Sequence, residues 1–253
     1  LSRHANRFIL KGALLFNLWY SMPHRATRDA DLLGFGSSEL ASIASTFSDI
    51  AAITVEDGII FDPTTIKVEE IRKEAGYAGA RVLIESELDA ARCKTQIDIG
   101  FGDIVVPKAV QSIYPVLLEE LSAPRLHTYP IYTVISEKLH AIVLFGMANS
   151  RLKDYLDLWI LLKHENIDNQ ILVKAVASTF ARRETPVPNQ LPSGLTGEFA
   201  TAISRQIIWA SFLKKNKLTH IDLVDVVNYL ADKLNPVLIE ASRFEISTEA
   251  NFD

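Results

Sequence analysis

The sequence predicts an α+β protein: a mixed sheet flanked by few helices, then a mainly helical subdomain. Two observations carry this. Through roughly the first 105 residues, short apolar runs of strand length alternate with turn residues. From residue 133 on, apolar positions recur at helical spacing instead. A chain of 253 residues, 48% hydrophobic and 23% charged, can bury such a core without a covalent staple. The division is placed after residue 125, giving a core over 1–125 and a helical C-terminal subdomain over 126–253.

The elements follow in order. Phe8-Ile9-Leu10 is a short buried strand. After Lys11-Gly12 an apolar helix is expected over 13–20, ended by Pro23. Residues 27–33 form a strand, and Ser37-Ser38-Glu39 can cap a helix reaching Phe47. Strands are expected over 53–55, 65–71, 78–85 and 94–101. Helices then cover 133–145, 152–163, 169–180, 199–213 and 221–234, with a Pro- and Gly-bearing loop over 185–194.

Composition excludes several classes. The single cysteine, Cys93, rules out an internal disulfide framework and a Cys-based zinc site, and fits a reducing cytoplasm. A net charge of −5 is not that of a general polyanion binder, although a nucleotide carried with Mg²⁺ suits an acidic chain. No run approaches the roughly 18 apolar residues of a membrane span, so no membrane partner is expected. The start, Leu1-Ser2-Arg3-His4, has neither a secretory pattern nor an initiator Met, and a short preceding segment is expected. His-Glu-x-x-His, Gly-x-Ser-x-Gly and Walker-type loops do not occur. The best basic run is Lys214-Lys215-Asn216-Lys217, with Arg182-Arg183; it reads either as a solvated helix end or as a seat for an RNA backbone.

Three acids carry the chemistry. Asp29 and Asp31 lie two apart on an expected strand, so both carboxylates take one face. Asp98 sits between Ile97 and Ile99, an acid centred in an apolar strand, which is costly unless paired or bound to metal. An Asp-x-Asp alone also occurs in solvated turns, and a lone strand Asp on sheet edges. If the two strands are neighbours, the three acids converge. Two unit charges ~4 Å apart repel by roughly 4 kcal/mol at an effective dielectric of about 20. Three such pairs amount to on the order of 10 kcal/mol, relieved by cations or by protonation. Mg²⁺ suits carboxylate and phosphate oxygens, and two ions ~3.5–4 Å apart serve phosphoryl chemistry. Gly12 would let the backbone approach a phosphate and open a helix whose N-terminus favours anions.

These residues resemble the AbiEii/AbiGii toxin family, which includes the MenT-type toxins. The first motif is Phe8-Ile9-Leu10-Lys11-Gly12-Ala13 with Arg25-x-Thr27-x-Asp29-x-Asp31-Leu32. The second is Ile97-Asp98-Ile99-Gly100-Phe101-Gly102-Asp103, followed by Pro107. Glu137-Lys138-Leu139-His140-Ala141 resembles the third motif, and Arg151-x-Lys153-Asp154-Tyr155-x-Asp157-Leu158 the fourth. Four motifs in order, from residue 8 to 158, are far more specific than any one of them. The resemblance implies a DNA polymerase β-like nucleotidyltransferase core in which Asp29, Asp31 and Asp98 are catalytic and hold Mg²⁺, or Mn²⁺ in its place. It implies that Gly12 and Thr27 line the nucleotide phosphates. Lys138 would be catalytic and contact the triphosphate, with Arg151, Lys153 and Asp154 at the same site. Ala13 departs from the Gly or Ser usual in the superfamily, which leaves the phosphate grip to backbone N–H groups.

Read on their own, the later motifs have plainer alternatives. Lys138 on an apolar helix either snorkels to solvent or offers three donors to a triphosphate. Asp154 and Asp157, three apart, share a helix face near its N-terminus, where the dipole favours acids, and Arg151 and Lys153 would pair with them at the surface. His140 reads as a helix-face residue.

The function expected first is Mg²⁺-dependent transfer of a nucleoside monophosphate from an NTP to an acceptor. In the family the acceptor can be a tRNA 3′ end, and a cognate AbiEi-like antitoxin restrains the toxin. Two alternatives stand beside it: a small-molecule (antibiotic-type) or protein nucleotidyltransferase, and a non-catalytic protein that binds nucleotide or antitoxin.

Overall fold

The computed structural model describes residue 4 and residues 6–21, 24–72 and 78–244. Pro23, the expected stop of the first helix, lies outside the described residues. Two compact units are present: Leu1–Asp103 with Ala109–Tyr129, and Ile104–Lys108 with Pro130–Asp253.

The first unit is built on a seven-stranded mixed sheet. Its strands are β1 (Phe8–Lys11), β2 (Asp29–Gly34), β3 (Ile59–Arg72), β4 (Ala78–Leu88), β5 (Ala91–Phe101), β6 (Val110–Ile113) and β7 (Arg125–Thr128). Their order across the sheet is β3-β4-β5-β2-β1-β7-β6. β2 runs parallel to β5, and β1 parallel to β7; the other pairs are antiparallel. Leu10, Leu32, Ile99 and Ala80 stand in register across four strands, all buried. Partners in register point to the same side of a sheet, so this row marks the core face. Helix α2 (Leu40–Ala51) covers the same face, with the Phe47 ring 5.6 Å from Phe8.

Several expectations are corrected. Residues 13–20 do not form one helix: a 3₁₀ turn over Gly12–Leu15 leads into a single short turn, α1 (Phe16–Trp19). The expected strand at 53–55 is irregular; Val55 is exposed, and Asp57 accepts from the Ile59 N–H where β3 begins. β3 starts earlier than residue 65 and carries Pro63, which an edge strand with a register shift tolerates. Strands β6 and β7 were not anticipated.

The second unit is helical: α3 (Ile131–Phe145), α4 (Leu152–His164), α5 (Asn169–Arg182), α6 (Gly197–Thr201), α7 (Ile203–Lys215) and α8 (Leu223–Ala241). The helix expected over 199–213 is two, broken where Ala202 takes an extended ψ of 126°. α8 runs past residue 234 through Pro236. Side-chain caps fix two starts: Asp168 accepts from Gln170 and Ile171 N–H on α5, and Asp222 from Val224 N–H on α8. The Tyr155 and Phe199 rings stack at 5.1 Å, and buried Trp209 donates to the Ile221 carbonyl at 2.7 Å.

Among the described residues, 131–148 are long and apolar enough to cross a membrane by length and composition, contrary to the expectation that no run comes near. This stretch carries Ser136, Lys138 and His140, each bonded to polar partners on other segments of the helical unit. Such a pattern is that of a core helix.

Candidate active site

The face of the sheet opposite Leu10 and Leu32 carries a row of charges. Lys11 on β1 pairs with Asp31 on β2, Asp31 with Asp98 on β5, Asp98 with Arg81 on β4, and Arg81 with Glu69 on β3. Neighbouring strands are ~4.8 Å apart, so each charge lies close to the next. The signs run plus, minus, minus, plus, minus. Asp31 beside Asp98 is the one like-signed adjacent pair in this row, and directly opposed like charges destabilise a sheet. Asp29, two residues before Asp31, takes the same face and is exposed.

Partners already hold some of these groups. Arg81 clasps Asp98 through a two-point fork, Nε to Oδ1 and Nη2 to Oδ2, both at 2.8 Å. Gln96 donates to the same Oδ1 at 3.2 Å. The hydrogen bond to Asp98 holds Arg81 above the usual guanidinium range against the opposing effect of burial, and the charges of Asp98, Glu69 and Asp29 add to it. Lys11 is buried, donates to Asp103 at 2.7 Å and to the Tyr129 hydroxyl at 3.2 Å, and lies over the Tyr129 ring.

Gly12 sits against Asp31. Its φ is +73°, and a Cβ there would fall 2.2 Å from Asp31 Oδ2. Only glycine meets both conditions. Gly12 does not open a helix of useful length, however. One 3₁₀ turn and four α-helical residues align too few peptides for the anion-favouring dipole expected from the sequence. Thr27 donates its hydroxyl to the Asp29 carbonyl at 3.2 Å.

Asp29, Asp31 and Asp98 therefore share one face of adjoining strands. Yet among the described residues no three or more His, Cys, Asp or Glu are gathered as an ion-holding group. Arg81 occupies both Asp98 oxygens. The donors fit a divalent ion by type and register, and the glycine at 12 leaves the Asp31 carboxylate the place that a Cβ would take. Asp98 would have to yield its guanidinium to complete the set.

The later motifs meet in the helical unit. Lys138 Nζ on α3 donates to Asp154 Oδ1 at 2.8 Å and to Asp157 Oδ2 at 2.7 Å, both on α4. Arg151 Nε reaches Asp154 Oδ2 at 2.7 Å. Both acids are 0% exposed, so the expected surface pairing is corrected to a buried one. Burial opposes charge on Lys138, but Asp154 and Asp157 outweigh it and hold the ammonium above its usual range. Burial likewise raises Asp154, and Lys138 and Arg151 outweigh that to hold it below the usual carboxylate range. Lys153 is exposed and takes no part in this cluster. Nearby, buried His140 bonds Thr185 and Arg183, and Arg183 pairs with Glu137 at 3.2 Å. Arg183 is thus turned inward rather than joining a basic patch.

Sequence reasoning missed Arg81, Glu69 and the Lys11–Asp103–Tyr129 contact. Arg81 gave the same signal as Asp98: a charge inside the apolar run Ala80-Arg81-Val82-Leu83-Ile84.

A sheet with two strand acids beside a positive-φ glycine turn, followed by helices, defines a nucleotidyltransferase-type α+β core. The chain belongs to the AbiEii family, described as the nucleotidyl transferase AbiEii toxin of a type IV toxin-antitoxin system, whose model matches residues 1–235. Its first unit is the polymerase β-like core of that family. Two crystal structures from Helicobacter pylori are similar in fold. One, described as a candidate nucleotidyltransferase, has 16% identity and a TM-score of 0.49, covering 95% of this chain and 89% of that one. The other, JHP933, has 13% identity and a TM-score of 0.47, covering 95% and 86%. No curated protein matches the sequence.

Proposed function

We propose that this chain is a divalent-metal-dependent toxin that transfers a nucleoside monophosphate from an NTP to an acceptor, with release of pyrophosphate. The observation that supports it is the like-charged pair Asp31–Asp98, in register beside Asp29 and against the Gly12 turn. Asp29, Asp31 and Asp98 are the residues that would hold Mg²⁺ or Mn²⁺. Such an ion supplies charge neutralisation at the phosphates and a more acidic nucleophile. Gly12 and Thr27 are assigned to the nucleotide phosphates from the family resemblance; Thr27 bonds the Asp29 carbonyl. Lys138, Arg151, Lys153 and Asp154 are assigned to the nucleotide from the family resemblance. Two of the three Lys138 N–H groups are spent on Asp154 and Asp157, and the third is what it offers a phosphate. Catalysis is then positioning plus electrostatics.

For the acceptor we infer an RNA, the tRNA 3′ end first, with a cognate AbiEi-like antitoxin opposing the toxin's effect in the cytoplasm. The test incubates the chain with each labelled NTP, Mg²⁺ and purified tRNA, or with no acceptor. Label should enter tRNA, and Asp29→Ala should abolish it. Labelling that survives in Asp29→Ala would refute the mechanism. Label entering the protein itself instead would refute the RNA acceptor alone.

A further inference from the structure

We propose that Arg81 is a displaceable latch on Asp98: it holds this acid until a divalent ion arrives beside Asp31, and then moves toward Glu69. The inference rests on the metal-dependent reading of the same centre.

The geometry sets up a competition. The Arg81 fork takes both oxygens of Asp98 at 2.8 Å, with Gln96 on one of them as well. A planar guanidinium in this mode occupies the carboxylate edge that an incoming ion would share, so both cannot hold it fully. The charges agree. With Arg81 moved away, the carboxylates of Asp29, Asp31 and Asp98 carry three negative charges in place of a net two, so its departure strengthens their hold on a divalent ion. The latch also has somewhere to go. Glu69 stands in register on the other side of Arg81 and is exposed. The Arg81 side chain is 33% exposed, so its head can swing without breaking core packing. A purely structural ion pair would need neither an acid on the far side nor an opening to solvent.

The experiment measures Mn²⁺ binding to the full nucleotide-free chain by the loss of the free-ion paramagnetic resonance signal. Circular dichroism checks that each variant is folded. R81Q should bind Mn²⁺ roughly ten-fold more tightly, which is about 1.4 kcal/mol. E69Q should bind about two-fold more weakly, because the guanidinium loses its second seat and stays on Asp98. R81K keeps the charge without the fork and should fall between wild type and R81Q; it also serves if R81Q does not fold. Binding in R81Q equal to or weaker than wild type overturns the latch, since Arg81 would then be presenting Asp98 to the ion. D31N separates the two levels. Weakened binding in D31N leaves the centre standing whatever R81Q does, whereas wild-type binding there removes the metal-dependent reading and the latch with it.

Discussion

Replacing Lys138 with methionine tests whether the third and fourth motifs form a structural unit in their own right. Methionine keeps most of the stem and removes the ammonium, which bonds two carboxylates that are 0% exposed. Arg151 remains on Asp154, so Asp157 bears most of the loss. Breaking a buried pair by removing one partner costs ~3–5 kcal/mol, because the other charge stays desolvated. For a chain of this size, each kcal/mol lowers the melting midpoint by roughly 2–4 °C, so a drop on the order of 10 °C is expected. The pH dependence gives a sharper check. In the wild type, Asp154 is held below its unfolded value, so its contribution is present above about pH 4 and is lost as pH falls through the depressed value. In Lys138→Met an unpaired buried carboxylate rises above its unfolded value, and its neutral form is favoured in acid. The gap between wild type and variant should therefore widen from pH 4.5 to about pH 7.5, as read by urea midpoints. A variant within about 0.5 kcal/mol of wild type at neutral pH would refute the account of a charge-balanced buried cluster.

Other substitutions test separate claims. Gly12→Ala places a Cβ 2.2 Å from Asp31 Oδ2 at a φ of +73°. It should lower stability by ~1–3 kcal/mol and also lose tRNA labelling, whereas a folded variant with full labelling would show that the close approach is dispensable. Asp31→Asn removes the like-charged contact with Asp98 and should raise stability in divalent-free buffer by up to ~1 kcal/mol while abolishing labelling. A destabilised Asp31→Asn would mean that the side chain is structural. Trp209→Phe leaves the Ile221 carbonyl without its 2.7 Å donor, and thermal unfolding should show a loss of ~1–3 kcal/mol with labelling retained.

What the sequence made legible followed local periodicity. Two-residue alternation placed Asp29, Asp31 and Asp98 on one side of their strands, and the shift to helical spacing marked the second half. Register across strands was not legible, because nothing local says that Arg81 faces Asp98 or that Glu69 faces Arg81. Length failed at Ala13-Leu14-Leu15-Phe16, an unbroken apolar run with no polar position to mark a helical face; the chain takes a 3₁₀ turn there. β6 and β7 are four residues each, too short for alternation to stand out, and they pair chiefly with each other. Segment 104–108 joins the helical unit through Val106, which exchanges hydrogen bonds with Thr133, a contact that no composition shift announces.

The order of charges along the row explains why the sheet tolerates its costly pair. Lys11 flanks Asp31 on one side and Arg81 flanks Asp98 on the other, so each acid has a cation on its outer side. The two cations are not equivalent. Lys11 is buried and bonds Asp103 and Tyr129, and Gly12 makes room for the Asp31 carboxylate. Arg81 is half open and committed to Asp98 itself. The two-point fork is thus on the Asp98 end of the like-charged pair, and the Asp31 end lies against the glycine turn. A fold selected for stability alone would place a neutral residue at 31. Keeping an acid there is the kind of local cost expected where the missing charge is supplied by a ligand.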